Sequence, residues 1–230
     1  MKYKHLLFDA DDTLLDFQAS EQTALKTLFE RIDLTFTQTL VNKYHEINHG
    51  LWAAFERGEL TKDEILQTRF RKLFTEIGFE VDRPSLEEEY QELLASGHML
   101  IPGATELLDH LKDRYDLYIV SNGVASTQYN RLHASGLFPY FKNIFISEET
   151  GYQKPQVEFF EYVFERIPQF DASRALIIGD SLSSDIQGGI NAKIDTCWYN
   201  PKKLPNTKGL TITQEIASLD QLYQVLFDNR

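Results

Sequence analysis

The sequence is poor in cysteine and in long apolar runs. Cys197 is the single cysteine among 230 residues, so the chain has no internal disulfide and no zinc site built from several cysteines. No apolar run approaches the ~20 residues that a membrane-spanning helix requires. The first apolar stretch ends at Asp9, far too early for the apolar core of a signal peptide. We therefore expect a soluble cytoplasmic protein without a membrane partner.

Basic residues are also scarce. The chain carries 23 Lys and Arg against 35 Asp and Glu, a formal net charge of −12. A surface this negative repels a phosphate backbone, so we expect no nucleic-acid polymer as a partner. A small anionic substrate is compatible with this charge if a metal ion or a few cations neutralise it locally. The 42% of hydrophobic and 25% of charged residues are ordinary for a globular protein.

Five short apolar segments have the length and composition of buried strands. They cover residues 3–8, 117–120, 143–146, 175–178 and 196–199. Helical patterns accompany the later ones, at residues 104–114, 124–135, 157–167, 184–192 and 219–227. Alternation of strands and helices is typical of a parallel sheet covered by helices. The predicted fold class is therefore α/β, with a doubly wound, Rossmann-like parallel sheet.

The stretch from residue 17 to residue 97 differs, because it contains helical patterns and no convincing strand. Thr61 with Glu64, and Ser85 with Glu88, match the capping box that begins many helices. This block interrupts the α/β pattern after its first strand. We therefore predict two domains, an α/β core formed by residues 1–16 and 98–230, and an inserted all-helical domain at residues 17–97.

Polar side chains follow four of the predicted strands at the point where each strand ends. They are Asp9, Asp11 and Asp12 after the first strand, Ser121 and Asn122 after the second, Lys154 beyond the third, and Asp180 and Asp185 after the fourth. In an open parallel sheet, ligands bind outside the carboxyl ends of the strands. These side chains are therefore expected to converge on one binding site.

The residue types in this set favour phosphate chemistry. Crowded carboxylates repel one another unless a cation lies between them, and Mg²⁺ is a hard cation that prefers oxygen ligands. Lys154 and the Ser121 hydroxyl suit phosphate oxygens. A carboxylate can attack phosphorus to form an aspartyl-phosphate. A second carboxylate two residues along an extended chain points to the same side, where it can protonate the leaving oxygen and then activate water.

Four segments, at residues 8–14, 120–123, 154–155 and 179–186, resemble in order the four motifs of the haloacid dehalogenase-like hydrolase superfamily. The resemblance covers the whole chain, since the helical block lies where that family has its cap domain. It implies that Asp9 is the nucleophile and Asp11 the general acid and base. It further implies that Ser121 and Asn122 bind substrate, that Lys154 stabilises the transferring group, and that Mg²⁺ is bound by Asp9, the Asp11 backbone carbonyl and Asp180, with Asp185 in support.

A subgroup is also indicated. Asp12 stands where many members have Gly, and residues 128–132, 147–151 and 191–201 resemble the pyrimidine 5′-nucleotidases. These enzymes hydrolyse nucleoside monophosphates, including modified pyrimidine ones. The expected partner is thus a small phosphorylated metabolite, with the protein a monomer or homodimer. A phosphatase for sugar phosphates or other small metabolites is the alternative within the same mechanism.

Other functions fit the sequence less well. A haloacid dehalogenase needs no metal and lacks an acid at the position of Asp11, and no feature of the helical domain recommends a β-phosphoglucomutase. A non-catalytic binding protein on the same fold would be favoured by loss of a catalytic position, and none is lost. His45 to His49 match the H-E-x-x-H pattern of zinc proteases, but no pattern places a third ligand. We expect an ordinary helix there.

Overall fold

The computed structural model describes residues 1–227. The chain divides into two compact units, one of Met1–Asp16 with the chain from His98 onward, and one of Phe17–Gly97. The predicted core domain extends to residue 230, so its residues 228–230 lie outside the described part of the chain. No helix within residues 1–227 is long and apolar enough to cross a membrane.

The unit Phe17–Gly97 is all-helical. Its helices are α1 (Phe17–Arg31), α2 (Gln38–Glu56), α3 (Lys62–Ile77) and α4 (Leu86–Ser96). Each helix buries one apolar stripe, and the stripes form a common core that includes Leu25, Phe29, Tyr44 and Phe70. Helical stability in a protein comes mainly from packing of such a face, which explains why the block folds as helices throughout.

The two predicted capping boxes have different outcomes. At Thr61 the box is present, because its hydroxyl accepts from the Glu64 backbone N–H while the Glu64 carboxylate accepts from the Thr61 N–H. At Ser85 the prediction is wrong, because the side chain makes no capping bond and instead contacts Glu89 at 3.4 Å. Ser85 has φ −85° and ψ 8°, outside the extended region that a capping serine adopts.

The other unit contains a six-stranded parallel sheet. The strands are β1 (His5–Phe8), β2 (Asp116–Ser121), β3 (Asn143–Ile146), β4 (Ala175–Gly179), β5 (Asp195–Tyr199) and β6 (Gln214–Ile216). Their order is β3-β2-β1-β4-β5-β6, and all neighbouring pairs are parallel. The predicted α/β class is confirmed. Strand β6 was not predicted, because it is a short edge strand in which Ile216 alone is buried.

Within the described part of the chain, six α-helices accompany this sheet. They are α5 (Ala104–Leu111), α6 (Ala125–Ala134), α7 (Ser147–Thr150), α8 (Val157–Glu165), α9 (Gln187–Asn191) and α10 (Leu222–Phe227). Side chains alternate between the two faces of a strand. In β1, Leu6 and Phe8 accordingly pack into one apolar core and Leu7 into another. Both faces are covered, which is why the central strands are continuously apolar.

The helix predicted at residues 184–192 begins differently in the structure. A π-helical turn, Leu182–Ile186, precedes the short helix α9. Such turns are rare and occur often at functional sites. Gly188 and Gly189 lie inside α9, where an added Cβ would press on Phe160 and Ile177 respectively. These glycines therefore allow close packing of the helix on the sheet.

Candidate active site

The strand order creates a topological switch point between β1 and β4. From β1 the chain builds outward through β2 and β3, then returns to the other side of β1 to form β4. Crossovers leave in opposite directions at such a point, which opens a crevice at the carboxyl ends of the two strands. Asp9 directly follows β1, and its backbone N–H donates to the Ile178 carbonyl at 2.9 Å. Asp180 directly follows β4.

Lys154 lies buried at the centre of this crevice, with 1% of its surface exposed. Its ammonium donates to Asp9 Oδ1 at 2.7 Å, to Asp185 Oδ1 at 2.6 Å and to the Val120 carbonyl at 2.8 Å. A lysine has three N–H donors, so all three are engaged. Burial alone would lower the pKa of Lys154, but the two carboxylates outweigh it and raise the pKa. Lys154 is therefore a fixed positive charge.

Asn122 holds the Lys154 backbone in place. Its side-chain nitrogen donates to the Lys154 carbonyl, and its side-chain oxygen accepts from the Lys154 N–H, both at 2.9 Å. This pair of bonds joins the end of β2 to the loop that carries the lysine. The amide oxygen and nitrogen of Asn122 both bond to protein backbone. This side chain, which was predicted to bind substrate, therefore positions Lys154.

Three carboxylates meet beside this lysine. Oxygens of Asp9, Asp180 and Asp185 lie within 4.8 Å of one another. Burial, together with Asp185 and Asp11, raises the pKa of Asp9 to about 8 despite the opposing effect of Lys154. Burial and the neighbouring Asp9 also raise the pKa of Asp180 well above its usual range. Hard oxygen donors under this mutual repulsion fit a divalent cation such as Mg²⁺.

Hydrogen bonds hold two of these aspartates, Asp185 through its carboxylate and Asp180 through its backbone carbonyl. The Ser181 N–H donates to Asp185 Oδ2 at 3.1 Å, and the Trp198 indole N–H donates to the Asp180 carbonyl at 2.7 Å. Gly179 has no side chain for a physical reason, since an added Cβ would collide with the Asp185 carboxyl group. The end of β4, the π-helical turn and β5 together set the position of the acidic cluster.

Asp11 lies apart from Lys154 and contacts helix α6. Its Oδ2 accepts from the Gln128 amide at 2.8 Å, and its Oδ1 accepts from the Arg131 guanidinium. The Gln128 amide also donates to the Ser121 hydroxyl at 2.8 Å. Gln128 and Arg131 face the sheet from the buried side of α6. The sequence analysis did not predict these contacts. The available signal was that Gln128 and Arg131 lie three positions apart, and therefore on the same face of a helix.

Asp12 adopts a left-handed backbone conformation, with φ 54°. Only Gly adopts this region without strain, and Asp and Asn tolerate it better than other residues. The turn therefore accepts Gly or Asp at this position. This conformation explains why Asp12 can stand where many members of the family have Gly.

The H-E-x-x-H segment lies in α2, within the helical unit. The His45 and His49 rings stack with centroids 5.7 Å apart, and His45 Nε2 lies 3.1 Å from Glu21 Oε2. Glu46 contacts Lys43 at 3.7 Å. Within residues 1–227, the group of side chains arranged to hold a metal ion is Asp9, Asp180 and Asp185, and neither histidine belongs to such a group. The helix predicted over this segment is present.

Comparison with known proteins gives consistent results. A family model described as haloacid dehalogenase-like hydrolase matches residues 3–193. HAD-hydrolase YfnB of Bacillus subtilis is 54% identical over 225 residues, covering 98% of this chain and 96% of that protein. A crystal structure of YfnB bound to magnesium superposes with a TM-score of 0.93 at 53% identity, covering 99% of this chain and 100% of that one.

Two further relatives carry names that state an activity. Pyrimidine 5′-nucleotidase PynA of Streptococcus pneumoniae is 44% identical over 230 residues, covering 100% of this chain and 97% of that protein. Pyrimidine 5′-nucleotidase YjjG of Escherichia coli is 34% identical over 226 residues, covering 98% of this chain and 99% of that protein.

Proposed function

The chain belongs to the haloacid dehalogenase-like hydrolase family and is a phosphoric monoester hydrolase, and from that premise we propose that it is a Mg²⁺-dependent pyrimidine 5′-nucleotidase. Its substrate would be a nucleoside 5′-monophosphate and its products a nucleoside and inorganic phosphate. The observation that carries the chemistry is the buried cluster in which Lys154 bonds Asp9 and Asp185. The substrate class rests on the end-to-end similarity to PynA and YjjG.

In the first step, the carboxylate of Asp9 attacks phosphorus and the bond to the ester oxygen breaks. Asp11 gives its proton to that oxygen, so the nucleoside leaves as a neutral alcohol and Asp9 carries a phosphoryl group. The Ser121 hydroxyl binds a phosphoryl oxygen, and the positive charge of the Lys154 ammonium stabilises the transferring group. Lys154 also holds the Asp9 carboxylate in place, and Asn122 holds the lysine.

In the second step, Asp11 is a carboxylate and acts as a base. It takes a proton from a water molecule as the water oxygen attacks phosphorus, and the bond between phosphorus and Asp9 breaks. Inorganic phosphate leaves, Asp9 is again a carboxylate and Asp11 is again protonated. The sum of the two steps is hydrolysis of one ester bond.

The acidic cluster supports the metal requirement. We propose that Mg²⁺ is held by Asp9, Asp180 and the backbone carbonyl of Asp11, with Asp185 in support. When bound, it would offset the negative charge of the phosphoryl oxygens. The support is the chemistry of the donor set, three carboxylates within 4.8 Å, and the magnesium bound in the YfnB structure.

The division of labour between the two units is part of the same proposal. Residues 1–16 and 98–230 would form the catalytic core, because every side chain named in the two steps lies in these segments. Residues 17–97 would be the inserted cap domain that selects among leaving groups. The catalytic steps themselves do not depend on this second assignment.

The test is phosphate release from a panel of nucleoside 5′-monophosphates and sugar phosphates, measured with Mg²⁺ and with EDTA. We expect release that requires Mg²⁺ and is fastest for pyrimidine nucleotides. Preference for sugar phosphates would overturn the proposed substrate class and leave the proposed mechanism standing. Release that is equally fast in EDTA would overturn the metal, and no release from the folded protein would overturn the enzymatic assignment.

A further inference from the structure

Among the buried polar side chains of helix α6 are two that contact Asp11 and that the proposed steps do not use. Arg131 is 0% exposed and Gln128 is 1% exposed. Burying an arginine in a helix against a sheet costs free energy, and an apolar residue of similar volume often stabilises such a position equally well. Their presence therefore indicates a task other than packing.

Both side chains converge on Asp11, one on each carboxylate oxygen. The Arg131 guanidinium donates to Oδ1, and the Gln128 amide donates to Oδ2 at 2.8 Å. Arg131 Nη1 also donates to Gln128 Oε1 at 3.1 Å, which locks the two side chains together. The Asp11 side chain is 29% exposed, so it still reaches the crevice in which a substrate would lie. The pair therefore fixes the direction in which this carboxyl group points.

Gln128 connects the same carboxyl group to Ser121. One N–H of its amide serves Asp11, and the other serves the Ser121 Oγ at 2.8 Å. The Gly123 N–H also donates to the Ser121 Oγ, at 3.0 Å. A hydroxyl has two acceptor sites and one donor, so these two bonds occupy both acceptor sites. The hydroxyl hydrogen is thereby directed to an acceptor other than Gln128 and Gly123, as a phosphate-binding serine requires.

We propose that Arg131 and Gln128 are positioning residues of the hydrolytic reaction. Arg131 orients Asp11 for proton transfer to the leaving oxygen. Gln128 fixes the distance and orientation between the Asp11 carboxyl group and the Ser121 hydroxyl. The proton donor and the phosphate-binding hydroxyl are thereby held in position by the same side chain. This inference rests on the proposed function, because it requires that Asp11 transfers a proton and that Ser121 binds phosphate.

The two side chains predict different defects. Loss of Arg131 removes a bond to Asp11 and keeps the bond from Gln128 to Ser121, so it disturbs proton transfer far more than phosphate binding. It therefore harms those substrates whose leaving group needs a proton. Loss of Gln128 disturbs both, so it also weakens binding of inorganic phosphate. A purely structural role for the pair would slow all substrates equally.

The experiment uses two phosphate esters of similar size. Benzyl phosphate releases an alkoxide that must be protonated, whereas 4-nitrophenyl phosphate releases a stable phenolate. We expect Arg131→Met to lower kcat/KM for benzyl phosphate by about 100-fold and for 4-nitrophenyl phosphate by less than about 5-fold. The inhibition constant for inorganic phosphate should change less than about 2-fold. Arg131→Lys, which keeps a charged donor, should recover part of the loss on benzyl phosphate.

Gln128→Met is the second variant. It should lower kcat/KM on both esters and raise the inhibition constant for inorganic phosphate by about 10-fold. This factor corresponds to losing roughly one hydrogen bond to a charged group, here the bond between the Ser121 hydroxyl and phosphate. The matched control is Arg69→Met, which removes a buried arginine from the helical unit and should leave the ratio between the two esters unchanged. Thermal unfolding of each variant confirms that the measured protein is folded.

Equal losses on both esters in Arg131→Met would overturn the inference and assign Arg131 to structure. If Arg131→Met does not fold, an unchanged ester ratio in Arg131→Lys together with unchanged phosphate inhibition in Gln128→Met would overturn it. Failure of the wild-type protein to hydrolyse either ester is a separate result. It would overturn the proposed function, and the inference with it.

Discussion

Each unit of this protein buries a cluster of polar side chains, and the two clusters differ in charge balance. In the helical unit, Arg69 is 2% exposed and pairs with the Glu87 carboxylate through two N–H groups. Its guanidinium also lies 4.5 Å from the Tyr90 ring centroid. In the α/β unit, a single lysine faces the carboxylates of Asp9 and Asp185, and Asp180 lies within reach of both.

Hydrogen bonds extend the cluster of the helical unit to a second carboxylate, Glu21, whose other oxygen lies 3.1 Å from His45 Nε2. The Tyr44 hydroxyl donates to the Tyr90 hydroxyl at 2.9 Å, and the Tyr90 hydroxyl donates to Glu21 at 3.2 Å. Asn48 donates to the same Glu21 oxygen at 3.3 Å. A buried network in which charges and donors are matched stabilises one packing arrangement of the helices. We therefore interpret this cluster as structural.

The cluster of the α/β unit carries more negative than positive charge. Such an arrangement costs stability unless a cation joins it, and perturbed carboxylates in a crevice are typical of functional sites. Comparison of the two clusters teaches that burial of charge alone does not identify an active site. An imbalance of charge at the carboxyl edge of a parallel sheet is the feature that indicates a candidate site.

The largest expected effect comes from Asp9→Asn, which removes the proposed nucleophile. We expect turnover of every phosphate ester to fall by roughly 10⁴-fold or more. The fold should persist, because Lys154 keeps its bonds to Asp185 and the Val120 carbonyl. Turnover within about 10-fold of the wild type would contradict the assignment of Asp9.

The same variant should change the pH dependence of stability. Burial raises the pKa of Asp9 to about 8, above the ~3.9 of an unfolded aspartate. The folded, metal-free protein therefore favours protonated Asp9, and its stability falls as pH rises from ~4 towards about 8. Asp9→Asn lacks this loss, so in EDTA near the upper end of that range it should unfold at a temperature at least as high as the wild type does. A clearly lower unfolding temperature would contradict the charge imbalance.

An intermediate effect is expected for Arg69→Met, which breaks the balanced cluster. The change leaves Glu87 without its buried partner and should lower the free energy of unfolding by about 3 kcal/mol. Denaturant unfolding measures this loss, and phosphate release per folded molecule at low temperature should be retained. Loss of turnover in the folded variant, without loss of stability, would show that the helical cluster takes part in the reaction.

The smallest effect is expected for His45→Ala. The hydrogen bond to Glu21 raises the pKa of His45, so the contribution of the pair is present below the ~6.5 of an unfolded histidine and is lost as pH rises through the folded value. Because His45 is partly exposed, the loss should stay below about 0.5 kcal/mol in acid and vanish in base. Denaturant unfolding at several pH values measures it, and stabilisation of the wild type by Zn²⁺ that depends on His45 would contradict the non-metal interpretation.

Most of the fold was predictable, because its elements satisfy local rules. The five predicted strands are mostly apolar, and the helical unit shows apolar stripes at helical spacing. The misses are segments that local rules do not decide. Ser85 has the residue type of a cap without the required backbone conformation, and β6 is mostly polar. The π-helical turn at Leu182–Ile186 depends on Asp185 packing against Gly179.

The sequence by itself determined which side chains stand at the carboxyl ends of the strands. Residue type and position after a predicted strand therefore indicate Asp9, Ser121, Lys154 and Asp180 before any contact is known. Only the tertiary structure decided that Asn122 holds the Lys154 backbone and that Gln128 and Arg131 meet Asp11. The physical reason is range. Strand ends follow from periodicity along the chain, whereas these bonds join residues 32, 117 and 120 positions apart and exist only once the helices dock on the sheet.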